Sequence, residues 1–83
     1  MAGFTPEQCR AARGLLGWTQ GDLGKHGKVA QKTIADFELG NTTPRQSTLQ
    51  RIRASLEKGD RNGAVVFIDE NGEGPGVRLK KRK

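Results

Sequence analysis

Cysteine and histidine occur once each in the 83 residues, as Cys9 and His26. The chain can therefore close no internal disulfide, and it offers no Cys/His cluster of metal-ligand spacing. No apolar run approaches the roughly 18 residues that a membrane span needs. The opening Met-Ala-Gly-Phe-Thr-Pro-Glu-Gln has neither the basic nor the apolar stretch of a secretory signal. A cytoplasmic, reducing compartment is expected, with no metal and no cofactor. No nucleophile, base and orienting group emerge as a set, so the chain reads as a non-enzyme. Apolar residues are scarce as well, at 33% with a mean hydropathy of −0.72. A single domain of this size buries a modest core, and a partner that completes it is plausible on composition alone.

What is abundant is positive charge, +6 net with a sequence pI near 10.1. Lys and Arg that neutralise phosphates release condensed counterions, so a basic excess on a small domain favours polyanions. A basic surface that is merely well solvated is the alternative, and charge by itself does not choose between them.

Helix starts are legible. Thr5-Pro6-Glu7-Gln8 supplies a Thr cap, Pro at the first helical position and Gln to close a capping box, with Phe4 placed to staple onto Cys9. Cys9, Ala12 and Leu16 then line one face, with Leu15 close beside it, and Gly17 ends the helix. Thr43-Pro44-Arg45-Gln46 repeats the device before a stripe of Leu49, Ile52 and Leu56 that ends near Gly59. Between them, Thr19 with Asp22 caps a short helix whose inward residue is Leu23. A second short helix runs from about Ala30 to Leu39, with Ile34 and Phe37 facing inward. Two short helices joined by a tight turn containing Gly form a helix-turn-helix pattern. Burial of Ile34 and Phe37 leaves Gln31, Lys32, Ala35 and Asp36 on the outer side. Gln pairs bidentately with adenine and Lys donates to guanine, so such a face suits the major groove.

From Gly63 the texture changes. Ala64-Val65-Val66-Phe67-Ile68 is a compact β-branched and aromatic run, and Val77-Arg78-Leu79-Lys80 alternates apolar with basic. Residues 69–76 between them are dense in turn formers, which predicts a β-hairpin with a long loop and a frayed basic end, Lys81-Arg82-Lys83. The organisation expected is a helical bundle over residues 1–59 and a hairpin extension with a basic tail over 60–83. An isolated hairpin is marginal in water. Val65, Val66, Phe67, Ile68, Val77 and Leu79 must bury their apolar surface somewhere, and they are expected to form the interface of a homodimer. Capping the chain's own helices is the competing reading.

Residues 6–57 resemble the Cro/CI repressor-type family, the lambda-repressor-like helix-turn-helix fold. The matching string is Trp18-Thr19-Gln20, Leu23, Val29, Thr33-Ile34-Ala35-Asp36-Phe37-Glu38, Gly40, Pro44, Thr48-Leu49, Ile52 and Leu56. The fold class expected is mainly α, a bundle of this type with a C-terminal β-hairpin. The resemblance implies a transcriptional regulator of double-stranded DNA, with Gln31, Lys32 and Asp36 at base-reading positions and Thr33 near a phosphate or base edge. It also implies a phosphate contact for Gln20, which braces Gln31, and a second clamp from Asn41, Thr43 and Arg45. Turn formation around Pro44 is an equal reading for Asn41 and Thr43. Arg13 and Glu38 match a partly buried ion pair of the family.

The chain departs from the family pattern in the turn. Gly27 and Lys28 stand where a small apolar residue and then Gly are usual. Either Gly27 takes the left-handed conformation one residue early, or Lys28 is forced into it at a cost of roughly 1 kcal/mol. Gly21 and Gly24 predict a soft second helix, at about 1 kcal/mol each against Ala. Ala30 lacks a capping hydroxyl. Lys28, like Lys25 and His26, is within reach of phosphates there, with a solvated turn as the alternative. A reading of another class also stands: a protein-interaction module, such as an antiactivator or antitoxin, built on the same scaffold. The polar and basic character of Gln20, Gln31, Lys32 and Arg45 favours DNA, since a protein-binding face would favour apolar anchors.

Overall fold

The structure, a computed structural model, describes residues 3–81, with the backbone alone for Lys81. Four helices precede a hairpin: α1 (Pro6–Leu16), α2 (Gln20–Gly27), α3 (Gln31–Glu38), α4 (Gln46–Lys58), β1 (Gly63–Ile68) and β2 (Gly76–Lys81). The chain is mainly α, a helix-turn-helix bundle with a C-terminal antiparallel hairpin.

Local chemistry sets the first two helices. At α1, Thr5 Oγ1 accepts the Gln8 N–H at 3.1 Å, and Gln8 Oε1 accepts the Thr5 N–H at 3.0 Å. Gly17 closes the helix in the left-handed region, at φ 71°. At α2, Thr19 and Asp22 form the same reciprocal box, at 3.0 and 2.9 Å. Each box satisfies two amide donors that a helix start leaves orphaned. Helix α3 begins without a side-chain cap, as Ala30 requires, and Leu39 is its C-terminal cap residue.

The expected cap at Thr43 is corrected. Helix α4 starts at Gln46, with Arg45 in the cap position at φ −59°, ψ 153° and no side-chain cap bond. Pro44 pre-sets an extended residue before it. The Thr43–Arg45 segment therefore belongs to the crossing from α3, and not to the first helical turn.

The helix-turn-helix turn is settled by two residues. Lys28 adopts φ 55°, ψ 47° and its N–H donates to the Gly24 carbonyl, while Gly27 remains helical. A Cβ on Gly24 would stand 2.7 Å from the Val29 carbonyl oxygen, because the chain folds back directly over that residue. The glycine that looked like a weak point of α2 is thus what allows the turn to be tight.

One core joins helices and hairpin. It comprises Cys9, Ala12 and Leu16 of α1, Trp18, Leu23, Val29, Ile34 and Phe37 of the helix-turn-helix, Ile52 and Leu56 of α4, and Val65 and Phe67 of β1. Phe4, expected to staple onto Cys9, sits between two aromatic rings, 5.7 Å from Phe37 and 5.1 Å from Phe67. Strands β1 and β2 pair with Val65 opposite Leu79 and Phe67 opposite Val77. That register puts all four on the inward face, and Val77 and Leu79 pack against the core. Gln8 fastens the loop end of the hairpin, its Nε2 donating to the Gly76 carbonyl at 2.9 Å and to that of Ile68 at 3.4 Å. At the other end the Trp18 indole N–H donates to Asp60 Oδ2 at 2.8 Å. Lys81, expected in a frayed end, closes β2 opposite Gly63, and Arg82 and Lys83 lie outside the described residues. No helix among the described residues is long and apolar enough to cross a membrane.

Candidate nucleic-acid interface

Helix α3 divides cleanly. Ile34, Phe37 and Glu38 are buried, Gln31 and Lys32 are exposed, and Thr33, Ala35 and Asp36 lie between. The outer face is polar from its first turn, where Gln31 and Lys32 stand. Lys32 Nζ lies 3.2 Å from Asp36 Oδ2, one helical turn on, with the lysine side chain 86% exposed. Such a pair in water is worth a few tenths of a kcal/mol at most, ~0.3–0.5 for i,i+4 geometry. It does not restrain either group from turning to a ligand. Gln31 folds back over the start of α2: a Cβ on Gly21 would meet its Oε1 at 3.4 Å.

Behind this face is one buried carboxylate. The Glu38 side chain is 2% exposed and gathers donors from two other helices. Arg13 of α1 donates from Nε to Oε2 and from Nη2 to Oε1, both at 2.7 Å. Gln20 of α2 donates from Nε2 to Oε1 at 3.0 Å, and the Cys9 thiol donates to Oε2 at 3.1 Å. Arg13 also holds the Trp18 carbonyl at 3.0 Å, and Arg10 donates to the main-chain oxygen of Glu38. Burial by itself would raise the pKa of Glu38. The hydrogen bonds from Arg13, Gln20 and Cys9 outweigh it and hold the carboxyl below its ordinary range. Burial, reinforced by the bond to Glu38, pushes the Cys9 thiol well up, so it stays a neutral donor. Helix α3 is therefore fixed against α1 and α2 by directional bonds, and not by apolar packing alone.

Gln20 keeps a second amide proton for another acceptor, since a carboxamide has two. Lys28 is exposed in its left-handed turn between α2 and α3. Asn41, Thr43 and Arg45 are exposed on the loop between α3 and α4, where the Asn41 N–H donates to the Asp36 carbonyl at 2.9 Å. The six apolar hairpin residues do not share one surface. Val65 and Phe67 are 3% and 9% exposed against the helices, Val77 and Leu79 pack with them, and only Val66 and Ile68 face outward.

Three features escaped the sequence reading. Cys9 and Gln20 converge on the Arg13–Glu38 pair from separate helices, which no local spacing announces. Trp18 stacks on His26 at 4.1 Å with an interplanar angle of 6°. That contact had a signal, since His26 lies two helical turns past the Thr19 cap and so on the same face. Leu39, 74% exposed just past the end of α3, is a large exposed apolar residue.

No curated protein matches the chain. Residues 10–61, from within α1 to just past the end of α4, match the Helix-turn-helix family of the Cro/CI type, and the chain therefore belongs to this family of DNA-binding regulators.

Proposed function

We propose that this protein is a cytoplasmic, sequence-specific transcriptional regulator that binds operator DNA as a homodimer. Helix α3 enters the major groove, with Gln31, Lys32 and Asp36 at base edges and Thr33 at a base edge or phosphate. Gln20, Lys28, Asn41, Thr43 and Arg45 hold the phosphate backbone on either side. The observation that carries this reading is the polar outer face of α3, held from behind by the buried Arg13–Glu38–Gln20 bonds. A base-reading helix needs that rigidity, because bidentate contacts to base edges tolerate little misplacement.

One helix-turn-helix reads only a few base pairs, so paired half-sites are the route to useful specificity. The dimer contact is assigned to the outward face of β1, Val66 and Ile68, since the other four apolar hairpin residues support the chain's own core. The experiment is a nuclease footprint of the purified protein on the DNA upstream of its own coding sequence. Two protected half-sites about one helical turn apart, roughly 34–36 Å, support the proposal. Uniform, sequence-independent protection contradicts it, as does a failure to bind DNA at low salt.

A further inference from the structure

The outer side of α3 carries a charge of the wrong sign for a surface that meets a polyanion. Of the residues assigned to DNA above, Asp36 alone is acidic. A carboxylate brought up to a duplex is repelled by the phosphates and offsets a cation that would otherwise release counterions. In the major groove only the base amino groups, adenine N6 and cytosine N4, offer it a donor.

Asp36 shares its face with a cation. Lys32 precedes it by one helical turn, which separates the two positions by about 6 Å along the axis at 1.5 Å per residue. The long lysine stem closes that gap, and Nζ lies 3.2 Å from Oδ2. The lysine side chain is 86% exposed and the aspartate side chain 29%, so the ammonium reaches out beside a more sheltered acid. Among the described residues, the ion pair that each of them makes is with the other. Glu38, the other acid of α3, is buried on the opposite side and engaged by Arg13, Gln20 and Cys9. Gln31 is turned away toward Gly21. The outer face thus presents a donor and an acceptor side by side, with no second charge on α3 to compete for either.

A G·C base pair presents the complement of that arrangement. Guanine exposes N7 and O6 as acceptors, and cytosine exposes its N4 amino group as a donor. O6 and N4 are hydrogen-bonded to each other within the base pair and so lie about 3 Å apart. Nζ and Oδ2 have the same spacing. An ammonium has three donors and can take O6 and N7 together, while the carboxylate accepts from N4. On A·T the donor N6 stands between the two acceptors, N7 and O4, so the ammonium gains one of them and not both. On C·G the order is reversed, which sets the amino group against Lys32 and the acceptors against Asp36.

We propose that Lys32 and Asp36 act as one unit that reads a single G·C base pair of the operator, with Lys32 on guanine and Asp36 on cytosine. This rests on the reading of α3 as the base-reading helix and names what two of its residues recognise. The pair is weak in water, so the two groups turn onto the bases at little cost. Asp36 also keeps the lysine on the outer face of α3 and off the neighbouring phosphates. The opposing account is a solvated i,i+4 pair that supports the helix alone.

Binding-site selection from a pool of randomised duplexes, by the parent, Lys32→Ala and Asp36→Ala, separates the two. Both side chains lie outside the core, and each variant is expected to melt within a few degrees of the parent. The parent is expected to enrich a half-site in which one position prefers G·C over A·T and C·G by about 5- to 150-fold. Both variants are expected to lose about fivefold or more of that preference, at the same position, and to keep the parent's preferences elsewhere. Losses at two different positions overturn the proposal. So does an Asp36→Ala variant that binds every sequence more tightly while retaining the parent's preference throughout, which is the outcome of a merely solvated pair. A parent that enriches no sequence refutes base reading by α3 and this contact with it. A parent with a clear preference, and variants that share no altered position, refutes this contact alone.

Discussion

Replacing Arg13 with Met removes the guanidinium from Glu38 while keeping much of the side-chain volume. The carboxylate left behind is 2% exposed and loses two bonds of 2.7 Å. Breaking a buried pair from one side costs about 3–5 kcal/mol, because an uncompensated charge stays buried. Gln20 and Cys9 still donate at 3.0 and 3.1 Å. The cost expected for Arg13→Met at pH 7 is therefore at the lower end, about 2–4 kcal/mol. For a domain of this length that lowers the melting temperature by roughly 10–25 °C.

The pH dependence has a definite sign. In the parent, Glu38 titrates below its ordinary range, so its contribution is present at neutral pH and is lost as pH falls through the folded-state pKa. Without Arg13, burial dominates and the folded-state pKa rises above the unfolded one. The native variant then takes up a proton before the unfolded chain does, and its stability relative to the parent recovers as pH falls from 7 toward about 4. Denaturant unfolding at several pH values measures the gap. A gap that is constant or widens over that range would refute the assignment of Glu38 as the buried charge. The double variant Arg13→Met/Glu38→Leu is expected to recover much of the loss.

Two changes test the helix-turn-helix turn. Gly24→Ala is expected to destabilise by about 1–3 kcal/mol, since its Cβ would lie 2.7 Å from the Val29 carbonyl oxygen. Lys28→Gly is expected to stabilise by about 1 kcal/mol by relieving the left-handed strain, and both are read in denaturant titrations. Ile68→Asp, at an outward position 40% exposed, should leave the melting temperature within a few degrees but move the protein toward monomer in sedimentation. A parent that sediments as a clean monomer at tens of micromolar would remove the hairpin dimer.

The parts of this fold that were legible in the sequence are those set by neighbours in the chain. The Thr5–Gln8 and Thr19–Asp22 boxes close over three residues, and the inward faces of α1, α3 and α4 follow from helical spacing. The same local logic failed at Thr43, where a Pro next to the hydroxyl suited an extended crossing as well as a helix start. Gly24 looked like a poor helix former because the atom it makes room for belongs to Val29, beyond the end of its helix. In β1 alternation offered two apolar faces, Val65 with Phe67 and Val66 with Ile68, and the choice between them lay in the register with Val77 and Leu79. The exposed outer face of α3 could be anticipated from Ile34 and Phe37. Its support could not, since Arg13, Gln20 and Cys9 reach Glu38 from separations of 18 to 29 residues.

The central claim is that α3 reads bases, and competition between operator and unrelated duplex by parent, Gln31→Ala and Lys32→Ala tests it most directly. The parent is expected to prefer its operator, and each variant to lose about 1–3 kcal/mol of specific binding while its nonspecific affinity and melting temperature stay close to those of the parent. Operator binding unchanged in both variants would contradict the account.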